Sequence, residues 1–136
     1  MMIALNDVMK SEFDSLGELL VVLKEQHNAY IKKDLFALEG IVKKIENING
    51  KVAKFEVERR KLVKDKSMKV LIKEFNNEEL EQNFNNVSNI LKEVKSQKET
   101  NEFLIKQGLM FTNRMLNIFR PSKVAKTYNN FGKMRK

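Results

Sequence analysis

From about Asn6 to Ile31 the apolar residues return with a helical beat. Met9, Leu16, Leu23 and Tyr30 recur every seven positions, with Phe13, Leu20 and His27 beside them. This spacing predicts a long amphipathic helix with a coiled-coil-like seam. Lys32 and Lys33 suit its C-terminal end, where helix carbonyls leave partial negative charge. Asp34 can then accept the unpaired amide hydrogens that open a second helix. There Leu38, Ile45, Val52 and Arg59 share one heptad position and Ile41, Ile48, Phe55 and Leu62 the other. Gly40 and Gly50 each cost that helix up to about 1 kcal/mol relative to alanine, and are expected where helices pack closely. The Lys32–Asp34 link is short, so the two helices should form an antiparallel hairpin.

Lys64 to Asn77 breaks the pattern. Ser67 followed by Met68, Val70, Leu71, Ile72 and Phe75 predicts a short helix across the bundle end. Asn76 sits three residues before Glu79, a capping-box spacing, and no proline follows until Pro121. A last helix to Phe119 would span roughly 60 Å. Its first half places Leu80, Phe84, Val87, Leu91 and Val94 on one side, and Lys95–Glu102 is polar throughout, either solvent-exposed or a kink. The predicted fold is all-α: an antiparallel helical bundle, a coiled-coil-like hairpin of three long helices with a short connecting helix, over residues 1–119. Residues 120–136 have no helical period and read as a flexible tail.

The end of the last helix departs from the amphipathic norm. In Phe103–Phe119, Leu104, Phe111, Met115 and Ile118 make one stripe and Ile105, Leu109, Leu116 and Phe119 a second beside it, with Phe103 and Met110 outside both. Lys106, Gln107, Asn113, Arg114 and Asn117 leave only a narrow polar strip. A surface helix needs an apolar arc of somewhat over ~100° to seat on its neighbours, and this one is about twice as wide. Either the helix is central and covered by its own chain, or part of the arc is kept for another protein.

Composition narrows the chemistry. With 136 residues, 42% hydrophobic and one proline, the chain is one helical domain able to bury a modest core. It has no cysteine, which excludes disulfides and thiolate chemistry. His27 is the lone histidine, lies in line with Leu20 and Phe13, and reads as a partly buried packing residue. No catalytic constellation, no Glu-x-x-His metal spacing and no glycine-rich phosphate loop can be assembled, so neither enzyme, metal nor cofactor is expected. Glu56, Glu58, Arg59 and Arg60 read as solvated helix-face pairs. Asp7, Glu12 and Asp14 come too early for a secretory signal, and no long apolar run is present, so a cytoplasmic protein is expected. The net charge of +8 first suggests nucleic acid, but residues 120–136 hold six Lys or Arg and no acid, leaving only two net charges to the rest. What remains is a binding protein acting through helix surfaces. A basic nucleic-acid-binding helical protein and a self-associating coiled-coil module, for instance a homodimer, are the competing readings.

Several features together resemble the FlgN-type flagellar export chaperones. The second helix carries an acidic cap (Asp34), a leucine turn (Leu38), a basic residue (Lys43 or Lys44), then a long heptad closing on Glu58, Arg59 and Arg60 before Leu62. The last helix carries an asparagine followed by an apolar run, Asn101 to Phe119. The tail has a Thr-Tyr-x-x-x-Gly element at Thr127, Tyr128 and Gly132, with Asn129 where the family often has aspartate. The resemblance implies a non-enzymatic cytoplasmic chaperone that binds hook-associated (hook-filament junction) proteins, shields their C-terminal helices and delivers them to the flagellar type III export gate. It further implies that the C-terminal half of the last helix holds the client, through anchors among Leu104, Ile105, Leu109, Phe111, Met115, Leu116 and Phe119. Tyr128, with Asn129, Phe131 and Gly132 around it, would dock on the cytoplasmic domain of the gate.

Overall fold

The computed structural model describes residues 1–119, with Phe119 described as helix but not as a side chain. The described residues form four helices and no strand: α1 (Met2–Ile31), α2 (Leu35–Val63), α3 (Met68–Phe75) and α4 (Glu78–Phe119). Asp34 caps α2 as expected, its carboxylate accepting the Ala37 amide at 3.1 Å, and Ser67 caps α3 through the Val70 amide at 3.2 Å. The start of α4 differs from the expected capping box. Asn76 adopts a left-handed conformation (φ 46°) that ends α3. Asn77, one residue later, accepts the Leu80 amide at 2.8 Å. An asparagine tolerates the left-handed region better than most residues, so two consecutive asparagines divide the tasks of stopping one helix and starting the next.

The chain divides into two units, Met1–Asn101 and a second from Glu102 onward. In the first, the helix covered most completely is α1, with twelve buried residues against three on α2. Leu5, Met9, Leu16, Leu20 and Leu23 meet Ile41, Ile48 and Val63 of α2, Met68 and Leu71 of α3, and Leu80, Val87 and Val94 of α4 in one cluster. Ion pairs give the directions. Glu12 with Arg59, Glu18 with Lys51 and Glu25 with Lys44 show α1 and α2 running antiparallel. Asn6 with Asn83, and Leu23 with Asn101, show α1 and this part of α4 running parallel.

Two polar contacts sit inside this apolar seam. Asn83 donates to the Asn6 side chain at 2.8 Å, both residues buried. Near the other end Asn101, 3% exposed, donates to the Leu23 carbonyl (2.7 Å) and to Gln26 (2.9 Å) and accepts from Gln97 (2.9 Å). A carbonyl can only accept, so the Asn101 amide is oriented, and Gln97 must in turn present its NH2 group. That group also lies 3.0 Å from His27 Nδ1, which therefore accepts, its ring proton on Nε2. The stretch 95–102 is thus continuous helix whose Gln97 and Asn101 face α1. Lys95, Ser96, Lys98, Glu99, Thr100 and Glu102 are exposed, as one of the two expectations for this stretch had it; Gln97 and Asn101 depart from it because amides look solvent-bound until their partners are placed.

Two further expectations are corrected. Arg59 does not join a solvated cluster: its Nε donates to the buried Glu12 carboxylate at 3.0 Å, leaving Glu56 and Arg60 as the exposed pair on α2. Arg59 stands at a heptad core position, so its stem enters the interface and its head needs a buried partner. Gly40 and Gly50 are not close-packing positions, since a methyl group built on either would touch nothing within 4 Å.

Candidate functional site

The second unit begins where the Asn101 contacts end. A helix forms through Glu102–Phe119 because only Gly108 is a poor helix former there and no proline occurs before Pro121. At 100° per residue, Ile118, Phe111, Leu104, Met115, Gly108, Phe119, Thr112, Ile105, Leu116 and Leu109 follow one another around half of the helix circumference. Of the expected anchors, Leu109 (60%), Phe111 (62%), Met115 and Leu116 are exposed, and Leu104 and Ile105 are half-buried. Phe103, Met110 and Ile118, the last at 71%, are exposed as well. The α1–α2 turn bares Ile31, Leu35 and Phe36, a smaller group. Soluble chains seldom leave so contiguous an apolar surface in water without a use for it.

Two details of this face were not expected from the sequence. Gly108 lies midway between the two apolar stripes, with Leu104 and Ile105 one turn before it and Phe111 and Thr112 one turn after, a ring around a missing side chain. The Thr112 hydroxyl donates to the Gly108 carbonyl at 2.9 Å, so the one polar side chain within the arc is satisfied by its own helix and the surface offered is chemically apolar. The signal was present in the sequence as a lone glycine at i±3 and i±4 from four apolar or β-branched positions. It was passed over because an isolated glycine in a helix reads first as a defect.

Lys106 and Arg114 stand on the polar strip, Lys106 toward the Leu109 edge of the arc and Arg114 toward the Ile118 edge. Both are exposed, and neither makes an ion pair among the described residues. Tyr128, Asn129, Phe131 and Gly132 lie outside the described residues, as does the side chain of Phe119. Among the described residues no group of histidines, cysteines and carboxylates is arranged to hold a metal, and no helix is long and apolar enough to cross a membrane.

The arrangement can do one kind of chemistry: present apolar area to another surface. Comparison with known proteins gives that surface a context. The family model described as FlgN protein matches residues 1–136, whereas no curated protein and no solved structure matches the chain. The chain belongs to the FlgN family of flagellar export chaperones.

Proposed function

We propose that the protein is a cytoplasmic chaperone that binds hook-filament junction proteins through Glu102–Phe119, shields their C-terminal helices and delivers them to the flagellar type III export gate. The observation that carries the reading is the exposure of Leu109, Phe111, Met115, Leu116 and Ile118 on a single helix. Half of the circumference is apolar, enough for a client helix to lie along it with anchors spaced i, i+3, i+4 and i+7. Burying one such side chain contributes about 1.5–3 kcal/mol, so a few anchors suffice for a contact that holds in the cytoplasm and still releases at the gate. Met110 and Met115 adapt to more than one surface, which suits a chaperone with several clients. The antiparallel bundle of the first unit is the platform. Tyr128, flanked by Asn129, Phe131 and Gly132, serves as the gate contact, separate in sequence from the client face.

The test is binding of the purified protein to hook-associated proteins. Leu109→Glu and Met115→Glu should each weaken binding at least about tenfold, by the value of one buried side chain, while circular dichroism and melting stay as in the parent. Tyr128→Ala should keep client binding and lose gate docking, read as failed secretion of the junction proteins. Collapse of the fold in the Leu109 and Met115 variants would show the face to be core. Sedimentation that depends on protein concentration, and is abolished by the same variants, would assign the face to self-association.

A further inference from the structure

Sulfur in this chain is carried by methionine alone: there are seven methionines and no cysteine. An oxidant therefore meets no thiol, and the thioethers are the soft groups left for it to attack. Burial separates two classes among the described residues. Met9 and Met68 are enclosed in the core of the first unit, Met9 at 1% exposure, whereas Met110 (49%) and Met115 (38%) are open in Glu102–Phe119. Position on the helix then divides the open pair. Met115 falls within the apolar arc, about 20° from Leu104 and about 40° from Phe111, at 100° per residue. Met110 falls on the polar side, beside Asn117. The positions one turn from Met115 are Phe111, Thr112, Ile118 and Phe119, and the only hydroxyl among them already donates to the Gly108 carbonyl.

We propose that Met115 is an oxidation site, and that a hydroperoxide acting on it switches client docking off; the inference rests on the docking reading above. The sulfur lone pair attacks the terminal peroxide oxygen and the O–O bond breaks. That oxygen stays on sulfur as the sulfoxide, and its proton passes to the other oxygen, which leaves as water or as an alcohol. Sulfur is oxidised by two electrons and the peroxide is reduced by the same two. The product replaces a flexible apolar side chain with a polar one. Its oxygen is a strong acceptor placed among Leu104, Phe111 and Ile118, with no free donor one turn away. A client helix laid over the arc strands that acceptor away from water, which costs the contact more than the lost apolar area alone. The same change at Met110 leaves the oxygen on the polar side, in solvent. Sulfoxides are reduced enzymatically, so the switch is reversible.

The test treats the full chain with hydrogen peroxide, removes the excess with catalase, and only then adds a purified hook-associated protein as the probe. Peptide mass spectrometry should find Met110 and Met115 oxidised well before Met9 and Met68. Binding of the probe should weaken about tenfold, the value of one stranded acceptor, with circular dichroism and melting unchanged. The two stereospecific methionine sulfoxide reductases with dithiothreitol should restore it, and the reductant has no cysteine in the chain to act on. Each variant is compared with itself before and after peroxide. Met115→Leu should lose most of the peroxide effect and Met110→Leu should keep it. Oxidation of Met115 no faster than that of Met9 overturns the proposal, as does undiminished binding by chain oxidised at Met115. A peroxide effect that persists in Met115→Leu also overturns it, by placing the damage elsewhere. Absence of binding before any peroxide is added overturns the docking reading and this inference together.

Discussion

Glu12 shows how one residue can be placed against its own solvation. Its carboxylate is buried, and that burial pushes its pKa above the ordinary 4.5, opposed by the adjacent Arg59. The folded chain therefore takes up this proton more readily than the unfolded chain does. Its contribution to stability is most favourable in acid and declines as pH rises through the window between the ordinary value and the raised one. Arg59 limits the loss by donating to the ionised form. Arg59→Leu should then destabilise the fold at pH 7 by about 3–5 kcal/mol, the usual cost of stranding a buried charge. Part of that loss should be regained at a lower pH, because burial raises the pKa of Glu12 and protonation removes the stranded charge. Urea denaturation at the two pH values measures it, and a pH-independent loss would mean that Arg59 acts through packing alone. Glu12→Gln keeps an acceptor for Arg59 without the charge and should be close to neutral.

Among helices, the question is how α4 finds its register on α1. Leucines and valines at heptad spacing could slide by seven residues at little loss, since each hole accepts any similar knob. The Asn6–Asn83 pair removes that freedom, because a shifted register would bury both amides without partners. Asn101 repeats the device near the other end, holding a backbone carbonyl of α1. Asn6→Leu or Asn83→Leu alone should cost about 1–3 kcal/mol by leaving the other amide unsatisfied. The double replacement should recover much of it, at the expense of a single well-defined register. Thermal melts of the four proteins in the cycle give the coupling, and additive losses would show the two residues to be independent. The caps belong to the same scale: Asp34 and Ser67 were legible in the sequence because their bonds reach only three residues ahead. Asn76 was misassigned because the choice between two adjacent asparagines depends on where α3 stops.

Taken whole, the molecule keeps its cohesion and its proposed binding surface in separate stretches of chain. Residues 1–101 contain every buried apolar side chain of the described core, and the apolar residues of 103–118 are exposed or half-buried. Local stability should follow that division, because amides in regions with few buried contacts open without global unfolding. Hydrogen exchange should accordingly be fast over residues 103–119 and slow over residues 80–100, although both lie in α4. Addition of a client helix should slow the first region only. Uniform protection along α4 would mean that the helix opens as one unit and that its exposed end is held by contacts other than those described.

The heptads, the short Lys32–Asp34 link and the absence of proline from Asn77 to Arg120 were enough to set the helical class, the number of helices and most of their ends. These depend on local periodicity and on bonds between near neighbours in the chain. The unusual width of the apolar arc was likewise visible, being a property of one helix. Which helix would be enclosed was not visible: α1, with an ordinary stripe, is the one wrapped by its neighbours, while the far greasier end of α4 stays in water. Nor were the partners on α1 of Arg59, Gln97 and Asn101, each of them 47 or more residues away in the chain. Periodicity reports how much apolar surface a helix has, whereas burial depends on what other surfaces are brought within reach, and that is settled only when the chain packs.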